Sequence, residues 1–127
     1  MAPDADLLQS FAREARGRTE AIVEAMRSVE DGSSPALDTL ESLRGEAHTL
    51  KGTAAVLDLD RLSELAGSME AAIRASADAR EIEPDVAAWL ERAAIAFREG
   101  VEAVADSGPE PAAVGDAIAS APTTDSA

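Results

Sequence analysis

The chain has no cysteine, which excludes disulfides, thiol chemistry and cysteine-held metals and fits a reducing, cytoplasmic setting. Its one histidine means that a zinc site would need mostly carboxylate ligands, and no metal or other cofactor is expected. Aromatic residues make up 2% of the sequence, and valine and isoleucine are scattered rather than clustered, which argues against a sheet protein. Positive charge is scarce: 11 Lys and Arg stand against 25 Asp and Glu, a net charge of −14. That balance argues against nucleic acid, whose phosphates are bound by clustered basic residues, and against anionic membrane surfaces. The N-terminus lacks the basic segment and apolar run of a signal peptide, and nothing reaches the length of a membrane-spanning helix. There is no Gly-x-Ser-x-Gly, no Gly-rich phosphate loop and no dinucleotide fingerprint. The chain therefore shows no means of its own for taking phosphate from ATP.

What remains is a helical composition. Alanine, leucine and glutamate are frequent, and 127 residues suffice for one domain around a single core. A first helix is expected from near Pro3-Asp4, with Leu8, Phe11, Ala15, Ile22, Met26 and Val29 as its core stripe, interrupted by Thr19. Asp31-Gly32-Ser33-Ser34-Pro35 ends it with loop chemistry, and Ser33 or Ser34 is placed to cap a second helix that runs to Leu57-Asp58. Asp58 and Asp60 signal a third helix with the stripe Leu62, Leu65, Ala66, Met69, Ala72 and Ile73. Its polar residues Arg61, Glu64, Glu70 and Arg74 read as a solvated face. A polar connection over residues 76–83 leads to Pro84, which opens a fourth helix packed through Val86, Trp89, Leu90, Ala93, Phe97, Val101 and Val104.

Gly108-Pro109-Glu110-Pro111 stops that pattern. The expected architecture is all-α, an antiparallel up-down four-helix bundle over residues 4–107. Residues 108–127 are expected to form a short flexible tail, with room for a helix around Ala112 to Ser120 and disorder at the end. A complete bundle needs no second copy, so a monomer is expected. The start at Met1 suggests a free-standing protein.

The second helix carries the histidine. Leu40, Leu43, Ala47, Leu50, Ala54 and Leu57 recur at steps of three and four. At 100° per residue, His48 lies roughly 160° from Leu50 and points away from that stripe. Glu41, Arg44, Gly45, Lys51, Gly52 and Ala55 share its face. Each mid-helix glycine costs roughly 1 kcal/mol relative to alanine. Gly45 precedes His48 by three residues and Gly52 follows it by four, the offsets of helical neighbours. Both strip the surface beside the imidazole, while Lys51 and Arg44 put positive charge there. A core role for His48 fails because it faces outward. A surface role without chemistry leaves the glycines unexplained, whereas a nucleophile that meets a phosphoryl group explains glycines and cations together.

His48-Thr49-Leu50-Lys51-Gly52-Thr53-Ala54 resembles the histidine-containing phosphotransfer (HPt) domain, whose pattern is His-x-hydrophobic-Lys-Gly-small-small and then an apolar residue and a glycine. Leu57 matches the apolar position, and Asp58 stands where the family usually has glycine. Because aspartate tolerates turn conformations and can cap a helix, the departure bears on how this helix hands over to the next and not on the phosphorylation site. The resemblance spans about residues 4–107 and implies a four-helix bundle. It further implies that His48 accepts phosphate from an aspartyl phosphate on a receiver domain and passes it to another receiver's aspartate. Lys51 would neutralise phosphoryl oxygens, and Gly52, with Gly45, Ala55 and Arg44, would form the partner surface. Thr49 and Thr53 are candidates for hydrogen bonds at the site. The implied partners are receiver domains of a hybrid histidine kinase and of a response regulator, the receiver bringing Mg2+. The protein would then be a phosphocarrier rather than an enzyme.

Three other readings of the same residues remain. The chain could be the phosphotransfer domain of a chemotaxis-type kinase, although no kinase sequence follows residue 107. It could be the phosphoacceptor helices of a sensor kinase, although Lys51-Gly52 fits that pattern less well. It could also be a non-phosphorylated adaptor that binds a receiver or kinase, which the intact His48, Lys51 and Gly52 disfavour.

Overall fold

The computed structural model describes residues 4–122, and among these there is no strand. Five helices follow in order: α1 (Ala5–Glu30), α2 (Leu37–Val56), α3 (Asp60–Ala79), α4 (Pro84–Ala105) and α5 (Ala112–Ala119). The expected count of four is thus corrected to five. α1 pairs chiefly with α4 and α2 with α3, while α3 against α4 and α1 against α2 complete the ring. The expected stripes meet in one core. Phe97, Ile22, Met26, Leu50, Leu65, Met69 and Leu90 are fully buried, and Phe11 meets Phe97 edge to face with centroids 6.0 Å apart. Thr19, which breaks the apolar pattern of α1, is buried too, and its hydroxyl donates to the Ala15 carbonyl at 2.7 Å. A helical threonine can hide its polar group in this way.

Helix beginnings follow the sequence unevenly. Asp4 caps α1, its carboxylate accepting from the Asp6 N–H at 2.8 Å, and Pro84 sits in the first turn of α4. Neither Ser33 nor Ser34 caps α2, however: its N-cap is Ala36, with no side-chain bond. The polar connection expected over residues 76–83 is shorter, residues 80–83. Ser76 returns its hydroxyl to the Ala72 carbonyl at 3.0 Å, and α3 runs on to Ala79.

The four long helices all end alike. Gly32, Asp58, Arg80 and Ser107 have φ of 100°, 60°, 57° and 61°. The following N–H reaches back five residues each time, as from Leu59 to the Ala54 carbonyl at 2.8 Å. This left-handed closure satisfies carbonyls the helix itself leaves open. Only one of the four positions carries the residue best suited to it. Asp58, at the place where the resembled family usually has glycine, performs the same turn as an aspartate.

α5 belongs to the core. Val114 is fully buried, and the Trp89 indole N–H donates to the Ala117 carbonyl at 3.0 Å. Glu110 pairs with Arg61 at 2.9 Å. α4 has Gly100 where α5 and α3 converge: a Cβ there would lie 2.7 Å from Leu62 Cδ2 and 2.9 Å from Val114 Cγ2. The segment expected as a tail therefore holds a docked helix, and its last residues, 123–127, lie outside the described ones.

Val114→Ala is expected to lower unfolding free energy by about 1–3 kcal/mol, the loss typical of deleting buried methyl groups. Urea denaturation followed by the emission of Trp89 checks it; unchanged stability would mean that α5 contributes nothing to the core.

Candidate functional site

The site lies on the seam between α2 and α3. The α2 stripe Leu40, Leu43, Ala47, Leu50 and Ala54 is buried, so the opposite side of the helix is open. The His48 side chain is 65% exposed. Gly45 and Gly52 flank it, and a Cβ added at either would meet nothing within 4 Å. Ala55 is exposed beyond them, and Val56 is 82% exposed, an apolar side chain left in water two helical turns from the histidine.

The residue that organises the site is Glu70, which the sequence pattern placed on the solvated face of α3. That expectation is corrected: its side chain is 6% exposed. It sits one turn from Ala66 and Ile73, at the edge of the buried stripe, where the neighbouring α2 covers it. Glu70 Oε2 lies 3.0 Å from His48 Nδ1. An ionised carboxylate can only accept, so Nδ1 is the donor. The ring is thereby set with its lone pair on Nε2, the nitrogen turned from Glu70.

Three cations share that carboxylate. Arg74 Nη2 donates to Oε2 at 3.1 Å and Lys51 Nζ to Oε1 at 3.5 Å, while Arg44 Nη1 lies 3.7 Å from Oε2. Arg44 also donates from Nε to Glu41 at 3.3 Å. Burial alone would raise the Glu70 carboxyl above its ordinary value, but the His48 hydrogen bond and the charge of Lys51 outweigh it and hold the group low. α3 fixes the lysine further: Ser63 donates its hydroxyl to the Lys51 carbonyl at 3.1 Å, and a Cβ at Gly67 would only just touch the lysine stem, at 3.6 Å.

The structure thus brings together His48, Lys51, Arg44, Gly45, Gly52 and Ala55 from α2 with Glu70 and Arg74 from α3. Thr49 and Thr53 are half-buried and make no hydrogen bond to this group. Reading α2 alone could not have found Glu70 or Arg74. Their only signal was position, since Glu70 stands four residues after Ala66 and three before Ile73, both in the core stripe. Among the described residues no group of three or more His, Cys, Asp or Glu is placed to hold a metal ion, and no helix is long and apolar enough to cross a membrane.

The family model described as Hpt domain matches residues 6–107. The chain belongs to the Hpt domain family. An Hpt domain is a histidine phosphotransfer domain, and the matched residues cover α1 to α4, His48 and Glu70 among them. No curated protein sequence matches the chain. Among solved structures, this Hpt domain is similar to the phosphorylated P1 domain of CheA3 in complex with CheY6 from R. sphaeroides. The TM-score is 0.77 and the identity 22%, over 92% of this chain and 95% of that one. At that identity the likeness shows a common fold.

Two outcomes are expected here. Gly52→Ala should raise stability by roughly 1 kcal/mol, because the added methyl meets open space and removes the helical penalty of glycine; a thermal melt decides. Glu70→Gln should destabilise the protein near neutral pH, and the deficit should shrink as the pH falls. A carboxyl held below its ordinary value of 4.5 stabilises the fold above that pH and loses its contribution as acid protonates it in the native state. Urea denaturation of both proteins across that range measures the difference, and a deficit independent of pH would count against an ionised Glu70.

Proposed function

We propose that this chain is a phosphocarrier in which His48 Nε2 takes a phosphoryl group from a receiver's aspartyl phosphate and hands it to the aspartate of a second receiver. The observation that supports it most is the His48–Glu70 hydrogen bond, which leaves an exposed Nε2 with a free lone pair. Nε2 attacks phosphorus, the bond from phosphorus to the aspartyl oxygen breaks, and the receiver's carboxylate leaves. Positive charge develops on the ring as the N–P bond forms, and Glu70 stabilises it across Nδ1–H. Lys51, with Arg44 beside it, is placed to neutralise phosphoryl oxygens; both are side chains of the same outward face. The bare surface at Gly45, Gly52 and Ala55 admits the receiver, which supplies the Mg2+. The chain has no part in ATP chemistry on this reading, works as a monomer in the cytoplasm, and draws its phosphate from a hybrid kinase's receiver.

A second reading places it as the phosphotransfer domain of a chemotaxis-type kinase, phosphorylated by that kinase's ATP-binding domain. What favours it is the likeness to the CheA3 P1 domain, which covers 92% of this chain, a span too long to stop at residue 107 and so one that takes in α5. The CheA3 domain is itself phosphorylated and bound to CheY6.

Receivers carrying labelled phosphate, and the kinase's ATP-binding domain supplied with labelled ATP, each offered as donor, separate the two readings by which one labels the chain. In either case the adduct should be acid-labile and base-stable, and His48→Gln should accept none; label at the native rate in that variant would remove the assignment. Lys51→Ala should slow single-turnover transfer by about 5- to 150-fold, the loss of roughly 1–3 kcal/mol of charge stabilisation, with its helical melt intact. Gly52→Gln should block transfer without unfolding, and normal transfer would show that the bare surface serves no partner.

A further inference from the structure

Ten of the eleven basic residues in the chain are arginines, and the single lysine stands one helical turn from His48. Arginine holds a carboxylate with a flat, fixed fork, whereas lysine is a point charge on a flexible stem of four carbons. What lies beside that stem decides how far it can move. Three residues at successive turns of α3, namely Ser63, Gly67 and Glu70, run along it. Ser63 donates its hydroxyl to the Lys51 carbonyl at 3.1 Å and so fixes the root. Glu70 Oε1 meets the ammonium at 3.5 Å, the long limit of a hydrogen bond, so the tip is held loosely. Between them lies Gly67, half-buried in the middle of α3. A Cβ at Gly67 would meet one atom within 4 Å, the Lys51 Cδ at 3.6 Å. That distance is ordinary van der Waals contact. Packing therefore does not demand a glycine, and alanine would make the stronger helix. The lysine stem gives the missing side chain a use.

We infer that Gly67 is a positioning residue: by leaving bare the α3 surface beside the Lys51 stem, it lets the ammonium exchange Glu70 for a phosphoryl group on His48. This rests on reading His48 as the phosphoacceptor. Nε2, where that group would be joined, lies on the side of the ring turned from Glu70. An ammonium resting at Oε1 must therefore swing to reach the phosphoryl oxygens. Ser63 keeps the root still during that swing, and the long contact to Oε1 releases the tip. A side chain longer than a methyl at position 67 would fill the space beside Cδ and hem the stem in. Gly45 and Gly52 differ from Gly67 in this respect, since a Cβ at either would meet nothing within 4 Å. Glu70 is not stranded when the lysine leaves, because Arg74 Nη2 and Arg44 Nη1 stay 3.1 and 3.7 Å from Oε2.

Because the chain has one lysine, 13C-labelled lysine gives a single Cε methylene signal. Its relaxation reports the motion of the stem in the whole chain with no receiver present. Gly67→Leu should raise the order of that methylene, and Gly67→Ala should raise it less. In single-turnover transfer, Gly67→Leu should lower the rate at saturating receiver by about 3- to 10-fold, since the ammonium is hindered and not removed. The receiver concentration that gives half of that rate should stay as in the native protein. A Lys51→Ala background has no stem to hinder, so there the same substitution should cost nothing further. Unchanged methylene order or a native transfer rate in Gly67→Leu overturns the proposal. So does an equal loss with and without the lysine, or a loss confined to the half-saturating concentration; either would make Gly67 a partner contact. Leucine is a good helix former, and a thermal melt checks the variant. If it does not fold, Gly67→Ala carries the same cycle with a smaller effect, because its methyl touches the stem. The two readings fail separately: a native chain that takes no phosphate sinks the phosphoacceptor role, while the methylene order still reports whether Gly67 frees the lysine.

Discussion

A carboxylate stripped of most of its water must find partners of opposite charge or give up its own. Glu70 finds three cations and the His48 ring, and through them it ties the outward face of α2 to α3. The aliphatic core would hold these two helices together with any compatible residues at the seam. What the carboxylate adds is orientation: which nitrogen of His48 carries hydrogen, and where Lys51, Arg44 and Arg74 rest when no phosphate is present. The apolar layers beneath make that orientation rigid, because Met69 and Ile73 on α3 and Ala47 and Leu50 on α2 are fully buried.

Half of this site was legible in one helix. Periodicity alone turned His48 outward and brought Gly45, Gly52, Lys51 and Arg44 beside it, since all these positions belong to one continuous helix. Glu70 lay beyond that reasoning. Its status depends on how far α2 leans over α3, which is a property of two helices and of no single stretch of sequence. A glutamate on the margin of an apolar stripe looks the same whether water or a neighbouring helix covers it. The end of α3 and the break in the α1 stripe were misread for a related reason. Ser76 and Thr19 are polar by composition, but each satisfies its hydroxyl within its own helix and so behaves as an apolar residue in packing. Sequence shows the group and hides the bond.

The helix ends carry a similar lesson. A left-handed residue closes each long helix, and glycine would have marked every one of these turns plainly. With aspartate, arginine and serine at three of them, the backbone accepts a strain of about 1 kcal/mol at each, and the sequence loses its punctuation. α5 was visible only as a possibility, because eight residues of modest pattern form a helix once Trp89, Leu62 and Gly100 supply a place for it to dock.

The bareness around His48 also bears on how long a partner stays. Side chains that are frozen on association lower affinity through lost rotamer entropy, and those that interlock slow departure. Gly45, Gly52 and Ala55 have almost nothing to freeze and nothing to interlock, and Val56 gives a single apolar foothold. Such a patch favours brief encounters. On the proposed reading, in which one partner leaves before the next is served, rapid release matters as much as access, and a surface with so few side chains provides both.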